Sequence, residues 1–127
     1  MNEKAIRGAM IGVLGSRVAY GVALLASPPK VAGNRWLGKG AHAPAAQVAL
    51  RGVGAREIAL HGLALGAYFR GSPVRPLLAA SVAGDLADIA ATTLSREGLP
   101  AGSTKATAAV AGGSLLMTLA LAALVDD

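Results

Sequence analysis

The chain has 127 residues, 54% of them hydrophobic and only 15% charged, with a net charge of +5 and a mean hydropathy of +0.53. That length suits one domain, but a soluble domain typically carries about 25% charged residues to clothe its large surface, so the deficit suits an exterior that meets lipid. No cysteine is present, which excludes disulfides, thiolate nucleophiles and Cys-bound metals; the basic residues flank apolar segments and form no stripe with interleaved aromatics, so the charge speaks for lipid headgroups and against nucleic acid.

Four apolar stretches follow one another, each about 20 residues long, enough to cross about 30 Å of hydrocarbon at about 1.5 Å per residue. The first covers about residues 5–27 and stops at Pro28 and Pro29, neither of which can continue a helix. Arg17 interrupts its apolar run, and three similar segments come after it, so it reads as a retained helix and not as a signal peptide. A basic, Gly-rich linker over residues 30–44 holds Trp36 at an interfacial position. The second stretch covers about residues 47–69 and ends at the turn Gly71-Ser72-Pro73. The third covers about residues 74–95. A loop with Glu97, Gly98, Pro100 and Gly102 leads to Ser103 or Thr104 as the cap of the fourth, about residues 104–125, which has no charged residue between Ala106 and Val125.

The expected architecture is therefore all-α, a single four-helix transmembrane bundle. The competing architecture is a soluble four-helix bundle, because Arg17, Arg51, Arg56, Glu57, His61, Asp85 and Asp88 all lie inside the stretches. With four crossings both termini share one side; the basic residues in or beside the loops after the first and third helices (Lys30, Arg35, Lys39, Arg96, Lys105) slightly outnumber those on the other side (Lys4, Arg7, Arg70, Arg75), a small positive-inside bias toward a cytoplasmic place for those two loops. The expected location is a cell membrane, crossed several times.

Small residues also fall on stripes. Gly8, Gly12, Gly15, Ala19 and Ala26 share a face of the first helix; Gly52, Ala55, Ala59, Gly62 and Gly66 share one on the second; the fourth has Ala109, Gly112 and Gly113. Such faces let helices approach closely in lipid. Packing inside the bundle is the expected use, and a dimer interface is the alternative.

The third stretch is the most informative about chemistry. Ser81, Asp85, Asp88, Thr92 and Ser95 recur at i, i+4, i+7, i+11 and i+14, a narrow arc of one face. A polar arc on a membrane helix must look inward. Two carboxylates one turn apart repel if both are ionised, so a proton or a cation must attend them. The second stretch offers partners: Arg56, and Glu57 with His61 one turn on. Arg17 sits near the middle of the first, where an isolated charge costs roughly 3 kcal/mol on insertion scales. The candidate intramembrane polar site is Arg17, Arg56, Glu57, His61, Asp85 and Asp88, with at least one aspartate paired to Arg17 or Arg56. No catalytic residue is assigned within it. A ligand, proton or reaction site is the functional reading of this set; an ion-pair network that fixes helix register is the structural one.

No metal and no cofactor are expected. Glu57-x-x-x-His61 with Asp85-x-x-Asp88 supplies four possible ligands, but di-metal bundles use Glu-x-x-His on each of two helices, only one His lies in the stretches, and two arginines oppose a cation. There is no P-loop, G-x-S-x-G or dinucleotide fingerprint, and His42 lies in the linker.

The segments RGVGAREIALHGLAL, RGSPVRP and AASVAGDLADIAATT, within residues 51–93, resemble small bacterial four-helix membrane proteins of the domain-of-unknown-function type, similar in general shape to the DoxX-like group. The resemblance covers about a third of the chain. It implies a four-helix membrane fold with Arg56, Glu57, Asp85 and Asp88 as characteristic positions, and no established activity, substrate or cofactor.

Three functions compete. The leading one is a site for a small lipophilic molecule, or an acid–base site, inside the bundle. The second is a non-enzymatic membrane subunit whose ion pairs only hold it, or a partner, together. The third is a proton or solute conduit. The expected partners are the lipid bilayer, a lipophilic small molecule and a second copy of the chain.

Overall fold

The computed structural model describes residues 2–125, which are mostly helical and, among those residues, free of strands. Four helices are long: α1 (Glu3–Ala26), α3 (Pro44–Phe69), α4 (Arg75–Leu94) and α5 (Ser103–Leu124). A fifth, α2 (Pro28–Ala32), is short. The basic, Gly-rich linker expected over residues 30–44 is partly helical, beginning within α2 and including a 3-10 turn at Gly38–His42. Pro28 and Pro29 end α1 because they lack an N–H, and the same residues start α2, whose first turn needs none. Val31, Trp36 and Leu37 then fold back on Leu24, Ala32, Ala41 and Leu50, so the linker is packed.

Local chemistry sets the other ends. Asn2 Oδ1 accepts the Ala5 N–H at 2.8 Å and caps α1. At the end of α3 the Gly71 N–H donates to Tyr68 O and the Ser72 N–H to Ala67 O, with Gly71 at φ 69°. This is a Schellman closure, which needs the left-handed conformation glycine supplies. Gly102, not Ser103 or Thr104, precedes α5 as its cap residue. The Ser103 hydroxyl instead donates to Trp36 O at 2.6 Å. Arg75 reaches from α4 to Ala122 O and Val125 O, each at 2.8 Å, where the last carbonyls of α5 lack intrahelical donors.

α1 lies mainly against α3, and α4 against α5; α3–α4 and α1–α5 contacts close the bundle. Met10 and Leu14 meet Ala64 and Ala67 at one end, with Val74, Leu78, Leu121 and Val125. Leu24 meets Leu50 at the other. α1 and α3 therefore run antiparallel. Gly21 and Gly54 mark their crossing. A Cβ on Gly21 would stand 2.6 Å from Gly54 O, and one on Gly54 would stand 2.7 Å from Gly21 O, so only glycine permits this approach.

The glycine stripes expected inside the bundle lie outside it. A Cβ at Gly8, Gly12, Gly15, Gly52 or Gly62 would meet nothing within 4 Å. The reason is rotational phase. α1 buries Met10, Leu14, Gly21 and Leu24, and α3 buries Leu50, Gly54, Glu57, His61 and Ala64. Both follow the i, i+4, i+7 spacing of a coiled-coil seam, and the seam of α1 contains Arg17, whose need for carboxylates overrides the preference of small residues for contact.

Apolar side chains cover the outside: Val48 is 73% exposed, Leu94 84%, Val110 71% and Leu116 67%. Among the described residues, three helices are long and apolar enough to cross a membrane, α1, α4 and α5, with mean hydropathies of 1.7, 1.4 and 1.8. α3 is long enough at 26 residues; Arg51, Arg56, Glu57 and His61 set it apart from the other three.

Candidate functional site

Between the two apolar layers lies a charged one, and all six candidate residues are in it. Arg17 on α1 bridges α3 and α4. Its Nε and Nη2 donate to Glu57 Oε2 and Oε1 at 2.7 and 3.0 Å. Nη2 and Nη1 donate to Asp85 Oδ1 and Oδ2 at 2.7 and 3.1 Å. A planar guanidinium with donors on two edges suits this double fork, and the ammonium of a lysine would not. Arg17 also fills the space between Glu57 and Asp85 where a metal would have to sit.

Arg56 makes the second link, from Nη2 to Glu57 Oε1 at 3.3 Å and to Asp88 Oδ2 at 3.2 Å. The pairing of α4 with the arginines is thus divided: Asp85 belongs to Arg17 and Asp88 to Arg56. Each aspartate has its own cation, which is how two carboxylates one turn apart coexist.

His61 closes the layer toward the Met10–Leu14 end. Its Nδ1 stands 2.8 Å from Glu57 O and its Nε2 stands 2.8 Å from Ser81 Oγ. A carbonyl only accepts, so Nδ1 carries the proton; in the neutral ring Nε2 then accepts from the Ser81 hydroxyl. No buried side-chain nitrogen or oxygen among the described residues lacks a partner.

Exposure grades across the layer. Glu57 and Asp85 side chains are each 3% exposed and Arg17 11%, against 24% for Asp88 and 37% for Arg56. The inner triad is sealed, while the Arg56–Asp88 pair is partly open, and Asp88 alone of the six residues lines an opening. With His61 neutral, two guanidiniums face three carboxylates, leaving one excess negative charge, and its least covered carboxylate is Asp88.

That opening is a cavity of about 480 Å³, with Asp88, Tyr20 and Trp36 among its walls and Lys30 and Arg35 at its margin. Ala106, Ala109 and Val110 of α5 form its apolar side. The Trp36 indole N–H donates to Thr92 Oγ1 at 2.9 Å, which fixes one wall to α4. The volume falls within the range of about 300–1,000 Å³ usual for small-molecule sites. A second cavity, about 540 Å³, lies at the opposite end near Lys4, Arg7 and Tyr68 and touches none of the six residues.

Two other members of the α4 polar arc have separate tasks. Thr92 is buried against Trp36, whereas Ser95 is exposed at the end of α4. Arg51 stays outside the layer, with its Nε on Leu25 O at 3.0 Å. The sequence reading missed the cavity walls Tyr20, Lys30 and Arg35. Tyr20 had a signal, since it stands one turn beyond Arg17 on the same helix. Lys30 and Arg35 had none, because their place depends on the fold of the connector.

Searches against protein-family models, curated proteins and solved structures find no match to this chain.

Proposed function

We propose that the chain is an integral membrane protein of the cell membrane in which α1, α3, α4 and α5 all cross the bilayer as a four-helix bundle, and that the cavity ending at Asp88 binds a small lipophilic molecule. The kinship with small four-helix membrane proteins of the DoxX-like shape is part of the same proposal. The cavity carries the reading. It joins an apolar wall to one half-covered carboxylate, the combination that orients an amphipathic ligand. The charges of α3 support a fourth crossing, because Glu57 and His61 are buried against partners on α1 and α4 and Arg56 reaches Asp88. A bilayer then meets mainly the apolar side of α3, including Leu63, which is 59% exposed.

A second reading has its own observation. The Arg17–Glu57–Asp85 triad is fully hydrogen-bonded and sealed, as a purely structural network would be. The two readings divide the layer: the triad holds register, and Asp88, held by Arg56 from outside the cavity, serves the cavity. A conduit has less support, because Met10, Leu14 and Leu78, each 0% exposed, plug the bundle beyond His61.

The test has two parts. The protein should stay with the membrane pellet after an alkaline wash and need detergent for release. Ala106→Phe, which fills the cavity from α5, should leave the melting temperature near wild type and abolish stabilisation by lipophilic compounds. Release into the wash without detergent refutes the membrane reading. Equal stabilisation of Ala106→Phe and wild type refutes the cavity reading.

A further inference from the structure

We infer that the cavity takes a single-chain anionic amphiphile of the lysophospholipid class, with its phosphate at Lys30 and Arg35, its free glycerol hydroxyl on Asp88 and its acyl chain along α5. The inference rests on the reading of this cavity as a lipophile site and specifies the ligand.

Three observations on the cavity carry it. Lys30 and Arg35 border it, both are exposed, and no described carboxylate pairs with either. The two cations lie on the short connector just beyond the end of α1, which under the proposed crossing brings them near the bilayer phosphates. Two unpaired cations on one rim select an anion, and the forked guanidinium suits phosphate oxygens.

Asp88 is deeper. Between it and Leu94, the last residue of α4, lie about 9 Å of helix at about 1.5 Å per residue. Its Oδ2 is engaged by Arg56, while no described donor engages Oδ1. An ionised carboxylate only accepts, so a ligand group reaching it must donate. A phosphate cannot do this without a proton, but an uncharged hydroxyl can. The ligand thus has its anion outside and a hydroxyl donor inside, in that order along its length.

The third observation is the wall. Ala106, Ala109 and Val110 offer small apolar side chains, and Ala109 and Val110 are exposed toward the surrounding medium. A groove of this kind has room for one chain leaving sideways into hydrocarbon. A phosphate, then a free hydroxyl, then one acyl chain is the layout of a lysophospholipid; in a two-chain phospholipid the hydroxyl is esterified and cannot donate.

Trp36 is the sole tryptophan and lines the cavity, so its fluorescence reports occupancy of the full chain in phosphatidylcholine nanodiscs. The titrants are lysophosphatidylglycerol, the uncharged monoacylglycerol of the same chain length, and inorganic phosphate. Lysophosphatidylglycerol should bind at least about tenfold more tightly than the monoacylglycerol. A Lys30→Gln/Arg35→Gln protein should lose that advantage and keep its wild-type melting temperature, since neither side chain holds the fold. Ala106→Phe should abolish the response with all charges in place. Equal binding of the monoacylglycerol, unchanged by the double substitution, would overturn the anionic head and leave the lipophile site standing. Displacement by inorganic phosphate at comparable concentration would make this a bare anion site and overturn the amphiphile. No Trp36 response to any amphiphile, in protein that melts normally, would overturn both this inference and the lipophile reading beneath it.

Discussion

Replacing Arg17 by methionine keeps most of the side chain's apolar stem and removes the guanidinium. Four charge-assisted hydrogen bonds go with it, and two carboxylates that are each 3% exposed lose their main cation. Breaking a buried ion pair from one side costs about 3–5 kcal/mol in soluble proteins. Two effects reduce the figure here. Arg56 still reaches Glu57, and a stranded carboxyl can take up a proton. We therefore expect a loss of about 3 kcal/mol. Asp85→Asn should cost about 2 kcal/mol, since the carboxamide still accepts from Arg17 but adds an N–H with no acceptor. The assay is unfolding in mixed micelles, read by circular dichroism, for the two single variants and the double. Because both changes break one contact, the double should cost less than their sum, with a coupling of about 1 kcal/mol or more. Strict additivity, or an Arg17→Met protein as stable as wild type, would refute the bridging role of Arg17.

Asp88→Asn should cost less than Asp85→Asn, about 1 kcal/mol or below, because its pair is partly solvated; the same micelle unfolding checks the order, and a reversed order contradicts the exposure gradient. Gly54→Val should force α1 and α3 apart and cost at least about 2 kcal/mol, whereas Gly12→Val, on the open face, should stay within about 0.5 kcal/mol; equal effects would mean that the crossing is not at Gly21 and Gly54. Thr92→Val should cost about 1 kcal/mol by leaving the Trp36 N–H without its acceptor, and the Trp36 emission maximum should shift; an unmoved spectrum counts against the contact. Reporter fusions at the two ends should give the same side of the membrane, and opposite sides would refute an even number of crossings.

The helices and the charged residues were legible in the sequence for different reasons. Prolines and glycines punctuate the chain at 28–29, 71–73 and 98–102, so the long helices could be read from breakers and hydropathy. The α4 arc from Ser81 to Thr92 could be read from spacing, because the residues around it are apolar. The partition of partners could not. Whether Asp85 takes Arg17 or Arg56 depends on how α1 is rotated, and the small-residue stripes gave a misleading cue to that rotation. Taking Arg17 and Glu57 as seam positions would have led to Gly21 and Gly54, each one turn away on its helix. The cavity was beyond reach, since it exists only because the basic connector folds down between α1, α4 and α5.

The proposed membrane location gives the closure at Gly71 a bearing on how the chain would be inserted. For α3 to cross as proposed, Arg51, Arg56, Glu57 and His61 must travel with it, and each charge near the bilayer centre costs roughly 3 kcal/mol on insertion scales. α3 emerges from the ribosome before its partner Asp88 does, though after Arg17. The turn through Gly71 and Ser72 is short enough to present α3 and α4 to the translocon as one hairpin, with α1 already waiting to receive Glu57. Lengthening that turn by a flexible insert would separate the two helices in time. The foreseeable defect is in biogenesis: α3 left at the cytoplasmic surface, and a polypeptide that quality control removes before it is ever assembled.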